Sequence, residues 1–290
     1  EELRETLRDG PDFVFAPGAS LVNLGTSWWI PDYFLRVRHV MRQYGVRYVP
    51  LVYDCIPLMV PEHCHEDLAR EFAQWFSSMA VLSSSALAIS EWSAADARRI
   101  AAEIVPERSL PINVVRLDAD LRRELGAAAT EGWPARADLP EPGEDFVLCV
   151  GTIESRKNHL MLFQAWLALI RRHGAERVPR LVCIGKAGWL ADAAMTLWRN
   201  SPALQERVSI AHGVPDVALA ALYGRALFTV TNSFYEGWGL PVTESLSFGR
   251  VPLVARNTSL TEAGGEAAAP FGAVVAACKQ AGLWPFAAGN

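Results

Sequence analysis

The sequence predicts an α/β protein built as two parallel-sheet domains facing a cleft. Three observations predict it. Short apolar runs such as FVLCVG (146–151) and RLVCIG (180–185) alternate with stretches of helical periodicity. The alternation occurs twice, once before residue 118 and again from 146 to 255. Between the two series, residues 120–144 hold Gly132-Trp133-Pro134, Pro140, Pro142 and Gly143, which mark a linker. The expected units are therefore 1–119, a linker at 120–144, and 145–290.

In the first unit, DFVFAP (12–17), RYVPLVYD (47–54), ALAIS (86–90) and INVVRL (112–117) read as strands, with helices at about 32–43, 66–80 and 91–103. In the second, FVLCVG opens the series, and 158–172 is a helix with Asn158 as its expected N-cap. RLVCIG, RVSIA (207–211), ALFTVT (226–231) and VPLVA (251–255) follow as strands. Helices at about 190–199, 216–224 and Pro241–Phe248 separate them. Right-handed crossovers then imply parallel sheets with helices on both faces.

Half of the 290 residues are apolar and a fifth are charged, enough to bury a substantial core. No apolar run reaches the length of a membrane span. The opening EELRETLRDG is charged, lacks an apolar h-region and reads like the middle of a helix, so the chain is expected to be a fragment or to lack its first segment. A net charge of −5 argues against nucleic acid as a partner. The five cysteines, 55, 64, 149, 183 and 278, are odd in number and irregular in spacing, which fits buried free thiols in a cytoplasmic protein. His63-Cys64-His65 has no second ligand cluster to complete it, and no metal is expected.

In open parallel sheets, ligands lie beyond the carboxyl ends of the strands. After the first strand of the second unit comes Gly151-Thr152-Ile153-Glu154-Ser155-Arg156-Lys157, a cationic pair just before a helix and suited to an anion. After the next comes Gly185-Lys186; lysine occurs only at 157, 186 and 279, so two of three follow strands here. Both lysines also fit plain solvated loop positions. His212-Gly213-Val214 follows the third strand, and a glycine there lets backbone approach a ligand.

After the fourth strand comes SFYEGWGLPVTE, with Glu236 and Glu244 eight apart. On one helix they would project ~80° apart, and Gly237, Gly239 and Pro241 forbid one helix in any case. Glu236 is thus expected in the loop and Glu244 on a helix starting at Pro241, with free N–H groups near Gly239 and Leu240 ready for an anion. Two carboxylates, which bind vicinal hydroxyls, beside cations and free donors fit a ligand both hydroxylated and phosphorylated. No G-x-G-x-x-G after a first strand, P-loop, nucleophile elbow or H-E-x-x-H is present.

E-G-W-G-L-P-V-T-E closely resembles the E-x7-E signature of retaining glycosyltransferases of the GT-B fold, family 4, and VGTIESRKNHLMLFQAW, CIGKAGW and NTSLTEAGGEAA are similar to the same family in the same order. The resemblance is specific over 146–268 and weaker over 47–100. It implies two Rossmann-like domains, the first on the acceptor side and the second binding a nucleotide sugar. It implies that Glu236 contacts donor hexose hydroxyls and Glu244 the ribose, and that Arg156 and Lys157 neutralise the diphosphate with backbone N–H groups of Gly237, Trp238, Gly239 and Leu240. Gly151, Thr152 and Lys186 would also face the nucleotide sugar, and Gly213 and Val214 the base. Where many relatives carry a histidine contacting the sugar, this chain has Tyr53, followed by Asp54, which makes Asp54 a further candidate catalytic residue.

The implied activity is metal-independent, cofactor-free hexosyl transfer with retention, with no protein nucleophile. GDP-mannose is the first donor expected, and a saccharide or lipid-linked saccharide of a surface polysaccharide the acceptor. A lipid-linked acceptor would bring the protein to the cytoplasmic membrane face as a peripheral contact, for which Trp28-Trp29-Ile30 is an apolar candidate that also fits a buried anchor. The rival readings are a non-catalytic sugar-nucleotide binding module and a sugar-nucleotide epimerase of the same fold.

Overall fold

The computed structural model describes residues 13–117, 121 and 136–270. The first sheet holds β1 (Ser20–Asn23), β2 (Arg47–Val52), β3 (Ala86–Ala88) and β4 (Ile112–Val114), in the order β1-β2-β3-β4. Its helices are α1 (Tyr33–Tyr44), α2 (Ile56–Met59), α3 (Glu66–Leu82) and α4 (Glu91–Ile104). The second sheet holds β5 (Phe146–Val150), β6 (Arg180–Ile184), β7 (Val208–Ala211), β8 (Thr229–Thr231), β9 (Pro252–Val254) and β10 (Ala269–Pro270). Helices α5 (His159–His173), α6 (Asp192–Arg199), α7 (Pro202–Arg207), α8 (Asp216–Arg225), α9 (Leu240–Ser247) and α10 (Leu260–Gly264) connect them.

Every strand pair among the described residues is parallel. The order in the second sheet is β10-β9-β8-β5-β6-β7. The chain starts at β5, runs outward through β6 and β7, then returns to β8 on the other side of β5. The order therefore reverses between β5 and β8, and such a reversal point is where open parallel sheets form a crevice beyond their strand ends. This reversal places the site.

Each sheet is covered by apolar helix faces. Tyr48, Phe76 and Met79 are fully buried in the first core, and Leu162, Phe163, Leu181 and Leu204 in the second. A further cluster joins the two halves: Ile89 from the first packs with Trp238, Val242, Val254, Leu260 and Ala263 from the second. Among the described residues, no helix is long and apolar enough to cross a membrane.

Several expected elements shift. DFVFAP is not a strand over its described residues: Phe13 and Val14 are exposed, and the first strand is Ser20–Asn23, paired from Ser20 opposite Arg47. An apolar run becomes a strand only where a neighbour offers it a ladder. ALFTVT shortens to β8, with Leu227 exposed. Asn158 stands at the N-cap position of α5 but in the left-handed region, with no side-chain cap bond. It exchanges hydrogen bonds with Asn232 instead, whose Nδ2 donates to the Asn158 carbonyl at 2.9 Å. Helices α2, α7 and α10 escape periodicity because they run four to six residues. The expected linker falls mostly outside the described residues; its described end begins with an Arg136–Asp138 ion pair at 2.6 Å.

Gly185 sits where β6 ends against the Gly151 loop. A Cβ there would lie 2.1 Å from the Gly151 carbonyl oxygen. Gly185→Ala is expected to lower unfolding stability by about 1–3 kcal/mol, measured by urea denaturation, because backbone must move to admit the methyl.

Candidate functional site

The loop after β5 and the loop after β8 meet at the reversal point. From the first come Arg156 and Lys157, which close a short 3-10 turn, Ser155–Lys157. From the second comes Glu236, 7 % exposed. Lys157 Nζ donates to Glu236 Oε1 at 2.5 Å, and Arg156 lies 2.8 Å from Glu236 Oε2. Ser233 adds a hydroxyl to Oε1 at 2.6 Å. Arg156 is further fixed by Glu154 at 2.7 Å and by the Tyr235 carbonyl at 2.6 Å. Burial pushes the Glu236 carboxyl up, but Lys157 and Arg156, helped by the Lys157 and Ser233 hydrogen bonds, outweigh it and hold the group below the usual carboxylate range.

The chain then passes through Gly237, Trp238 and Gly239, all buried, into α9. Gly239 is the N-cap with φ 113°, a conformation open to glycine. Among the described residues, no acceptor faces the N–H groups of Gly237, Trp238, Gly239 and Leu240. Pro241 in the first turn lacks an N–H, which keeps the helix start free of competing donors. Backbone donors without acceptors at a helix start are the kind of group that suits an anion.

Glu244 lies in a different polar cluster from Glu236. It sits in α9, and its Oε2 accepts the Tyr223 hydroxyl of α8 at 2.6 Å. Burial raises its carboxyl, with the Tyr223 bond opposing. Gly213 takes φ 62°, and Arg136 donates to the His212 carbonyl at 3.1 Å. Val214 packs against the core beneath β7. Lys186 is exposed, while its carbonyl accepts the Ile153 N–H at 2.9 Å. Gly151 and Thr152 are half-buried, the former beside the Lys157 side chain. Trp238 faces the apolar cluster between the two halves.

The first sheet brings Asp54 to the same crevice. Its Oδ1 accepts the Ile56 N–H at 2.9 Å, and burial raises its carboxyl. Asp54, His63, Arg156, Glu154, Trp28 and Trp189 line a cleft of about 270 Å³. Tyr53 turns away from it: its hydroxyl donates to the Leu24 carbonyl at 2.7 Å. The two halves touch closely here, since a Cβ on Gly237 would lie 2.6 Å from the Tyr53 carbonyl oxygen.

Several contributors escape sequence reading. Ser233 and Glu154 orient the charged groups. Tyr235 donates to Asp96 of α4 and accepts from Trp92 at 3.1 Å. Ser93 lies 3.1 Å from the carbonyls of both Tyr53 and Gly237. His63 meets Ser155 at 2.8 Å and stacks on Phe234. Sequence carries one weak signal for these: Ser233 and Glu154 stand within three residues of the groups they hold. Cys55, Cys149 and Cys183 are buried free thiols and Cys64 a partly buried one, as expected, while Cys278 lies outside the described residues. Trp28 packs on Phe72 and Trp75, whereas Trp29 and Ile30 are exposed beside a groove between α1 and α3.

Comparison with known proteins agrees with this geometry. The profile of glycosyl transferases group 1 matches residues 133–279, just over half of the chain. The chain belongs to this family. It is 28% identical over 225 residues to the serotype-specific mannosyltransferase WbdA of Escherichia coli, which covers 75% of this chain and 27% of that protein. It is 40% identical over 131 residues to the O-antigen chain mannosyltransferase B of Escherichia coli, covering 43% of this chain and 32% of that protein. The chain thus spans about a quarter to a third of the length of these curated relatives. Among solved structures, sucrose-phosphate synthase from Thermosynechococcus elongatus superposes with a TM-score of 0.57 at 18% identity, over 79% of this chain and 56% of that one. A UDP-forming trehalose-phosphate synthase from Burkholderia xenovorans does so with a TM-score of 0.57 at 14% identity, over 84% and 60%. These likenesses show the fold: α/β with parallel sheets in the GT-B arrangement.

The opposed shifts of Glu236 and Asp54 set a test of stability. A carboxyl held low in the fold contributes stability that is present at neutral pH and lost as pH falls through the folded value; one held high weighs against the fold once pH rises past its unfolded value. Glu236→Gln is therefore expected to lose roughly 3 kcal/mol at pH 7, because two cations lose their counter-charge. Asp54→Asn, which keeps the acceptor for Ile56, is expected to raise the thermal midpoint at pH 7, with the gain vanishing below about pH 4. Scanning calorimetry across that range checks both signs.

Proposed function

We propose that this chain carries the catalytic cleft of a retaining hexosyltransferase that uses GDP-mannose and extends a saccharide or lipid-linked saccharide in surface polysaccharide synthesis at the cytoplasmic face of the membrane. The observation that carries the reading is the set of four orphaned N–H groups, Gly237 to Leu240, at the start of α9 beside Lys157 and Arg156. Donors and cations of this kind suit a diphosphate. Family membership supports a sugar donor, and the mannosyltransferase names of two relatives make mannose the first candidate.

In this reading Lys157 spends one of its three N–H groups on Glu236 and keeps the others for phosphate oxygens. The leaving diphosphate gains charge as the glycosidic bond breaks, and cations fixed in advance by Glu154, Glu236 and Tyr235 stabilise that charge without reorganising. Glu236 accepts from hexose hydroxyls, and Glu244 holds the ribose through the carboxylate oxygen that Tyr223 leaves free. Gly151 and Thr152 line the phosphate side, Lys186 the outer edge, and Gly213 and Val214 the base. The cleft of about 270 Å³ beside Asp54 suits an acceptor sugar, with Trp28 and Trp189 as apolar walls. The acceptor hydroxyl attacks the anomeric carbon from the face the phosphate leaves, giving its proton to the departing phosphate oxygen, so no protein nucleophile or metal takes part.

A second reading, a binding module without turnover, is favoured by one observation: Tyr53 points to Leu24 and away from the cleft. The two readings separate cleanly. The chain is expected to show a rise in thermal midpoint with GDP-mannose larger than with UDP- or ADP-sugars, by mass action on a bound site. Glu236→Ala is expected to cut turnover at least about a hundredfold, the scale of one preorganised polar contact. Product stereochemistry by proton NMR should show the donor's anomeric configuration. Near-normal transfer by Glu236→Ala sinks the assignment, and nucleotide-sugar binding with neither transfer nor hydrolysis leaves the module.

A further inference from the structure

Outside the cleft, one buried cluster has the makings of a metal site. Cys149 on β5, His159 at the start of α5 and Cys183 on β6 place one ligand atom each within 4.8 Å of one another. Cys149 and Cys183 sit directly opposite in the parallel ladder, so both thiols project from the same face of the sheet. His159 covers that face, and its Nε2 lies 3.7 Å from Cys149 Sγ. All three residues are buried, among Leu162, Phe163 and Val147. His159 is 2 % exposed, and its Nδ1 meets no partner among the described residues.

We propose that Cys149, His159 and Cys183 bind a thiophilic d10 cation, Zn²⁺ or Cu⁺. The geometry agrees. Zinc bonds of about 2.3 Å to sulfur and about 2.0–2.1 Å to nitrogen place the two ligand atoms about 3.6 Å apart at a tetrahedral angle and about 3.8 Å apart in a trigonal one. The 3.7 Å separation of Cys149 Sγ and His159 Nε2 falls between them. The charge agrees for zinc. Both thiol protons leave to solvent as the sulfurs bind, and two thiolates with Zn²⁺ form a neutral group that an apolar core tolerates. Binding through Nε2 leaves the imidazole proton on Nδ1, which meets no acceptor among the described residues.

The position gives the ion a task. Cys149 precedes and His159 follows the loop that carries Arg156 and Lys157. Cys183 precedes Gly185, whose backbone abuts Gly151. An ion on these three ligands staples both ends of the cation loop to the neighbouring strand. It acts on the stiffness of the loop, and its binding does not depend on the identity of the sugar donor.

The test uses the full 290-residue chain. Protein made in zinc- or copper-supplemented medium is analysed for metal by mass spectrometry, then stripped and titrated with Co²⁺. The expected result is one ion per chain, a raised thermal midpoint on loading, and the intense thiolate-to-cobalt charge-transfer absorption. Cys183→Ser and His159→Gln are expected to lose the ion, while Cys64→Ser keeps it. The supplement that loads the chain identifies the ion. If the variants fail to fold, the cobalt spectrum of the Cys64→Ser chain still decides, because that absorption requires thiolate ligands and the partly exposed thiol between His63 and His65 is gone. A chain that takes up neither metal and shows no such absorption overturns the proposal, and leaves the three residues as a hydrogen-bonded core group.

Discussion

The carboxylate of Glu236, shared between Lys157 and Arg156, is the interaction on which the crevice depends. It lies where the strand order of the second sheet reverses, and it ties together the loops of two neighbouring strands, β5 and β8. An isolated charge at that depth would be costly, and each of the three groups is tolerated there because the others are present. Glu154, Ser233 and the Tyr235 carbonyl complete the shell. The result is a set of cations whose positions are fixed by the fold itself.

A second constraint is the closeness of the two halves. Gly237 runs against the Tyr53 carbonyl with no room for a side chain. Glu262 from the second half accepts the N–H of Glu91 at 2.9 Å, which places a carboxylate at the N-terminus of α4 and complements that helix's dipole. Tyr235 reaches Asp96 across the same boundary, and Trp238 fills the apolar cluster beneath it. The segment that carries Glu236 is thereby clamped on both flanks by residues of the other half. A cleft between two sheets becomes a site with defined walls.

Much of this was legible in the sequence. Alternating apolar runs and helical stretches report which segments bury which faces, and these patterns are local. The break in helix at Gly239 and Pro241, and hence the separation of Glu236 from Glu244, follows from backbone chemistry alone. The start of the first strand was misplaced because an apolar run at Phe13 carries no information about whether a ladder partner exists. Asn158 was expected to cap α5, but a competing partner, Asn232, lies 74 residues away in sequence. Tyr223, which holds Glu244, and Ser93, which links Tyr53 to Gly237, share that character: their roles are made by contacts between distant segments.

By itself, the sequence determined the α/β class, the strand ends on which charged and glycine residues cluster, and the signature that places the chain among glycosyl transferases group 1. These depend on spacing and on backbone preferences, which act over a few residues. The tertiary structure decided which loops meet. The reversal of strand order brings Arg156 and Lys157 onto Glu236; the Leu24 carbonyl turns Tyr53 away from the cleft, and the β5–β6 ladder sets Cys149 beside Cys183, with His159 against Cys149. Those outcomes are set by the crossing of chains far apart in sequence, where burial and charge pairing choose the partners and no local pattern records the choice.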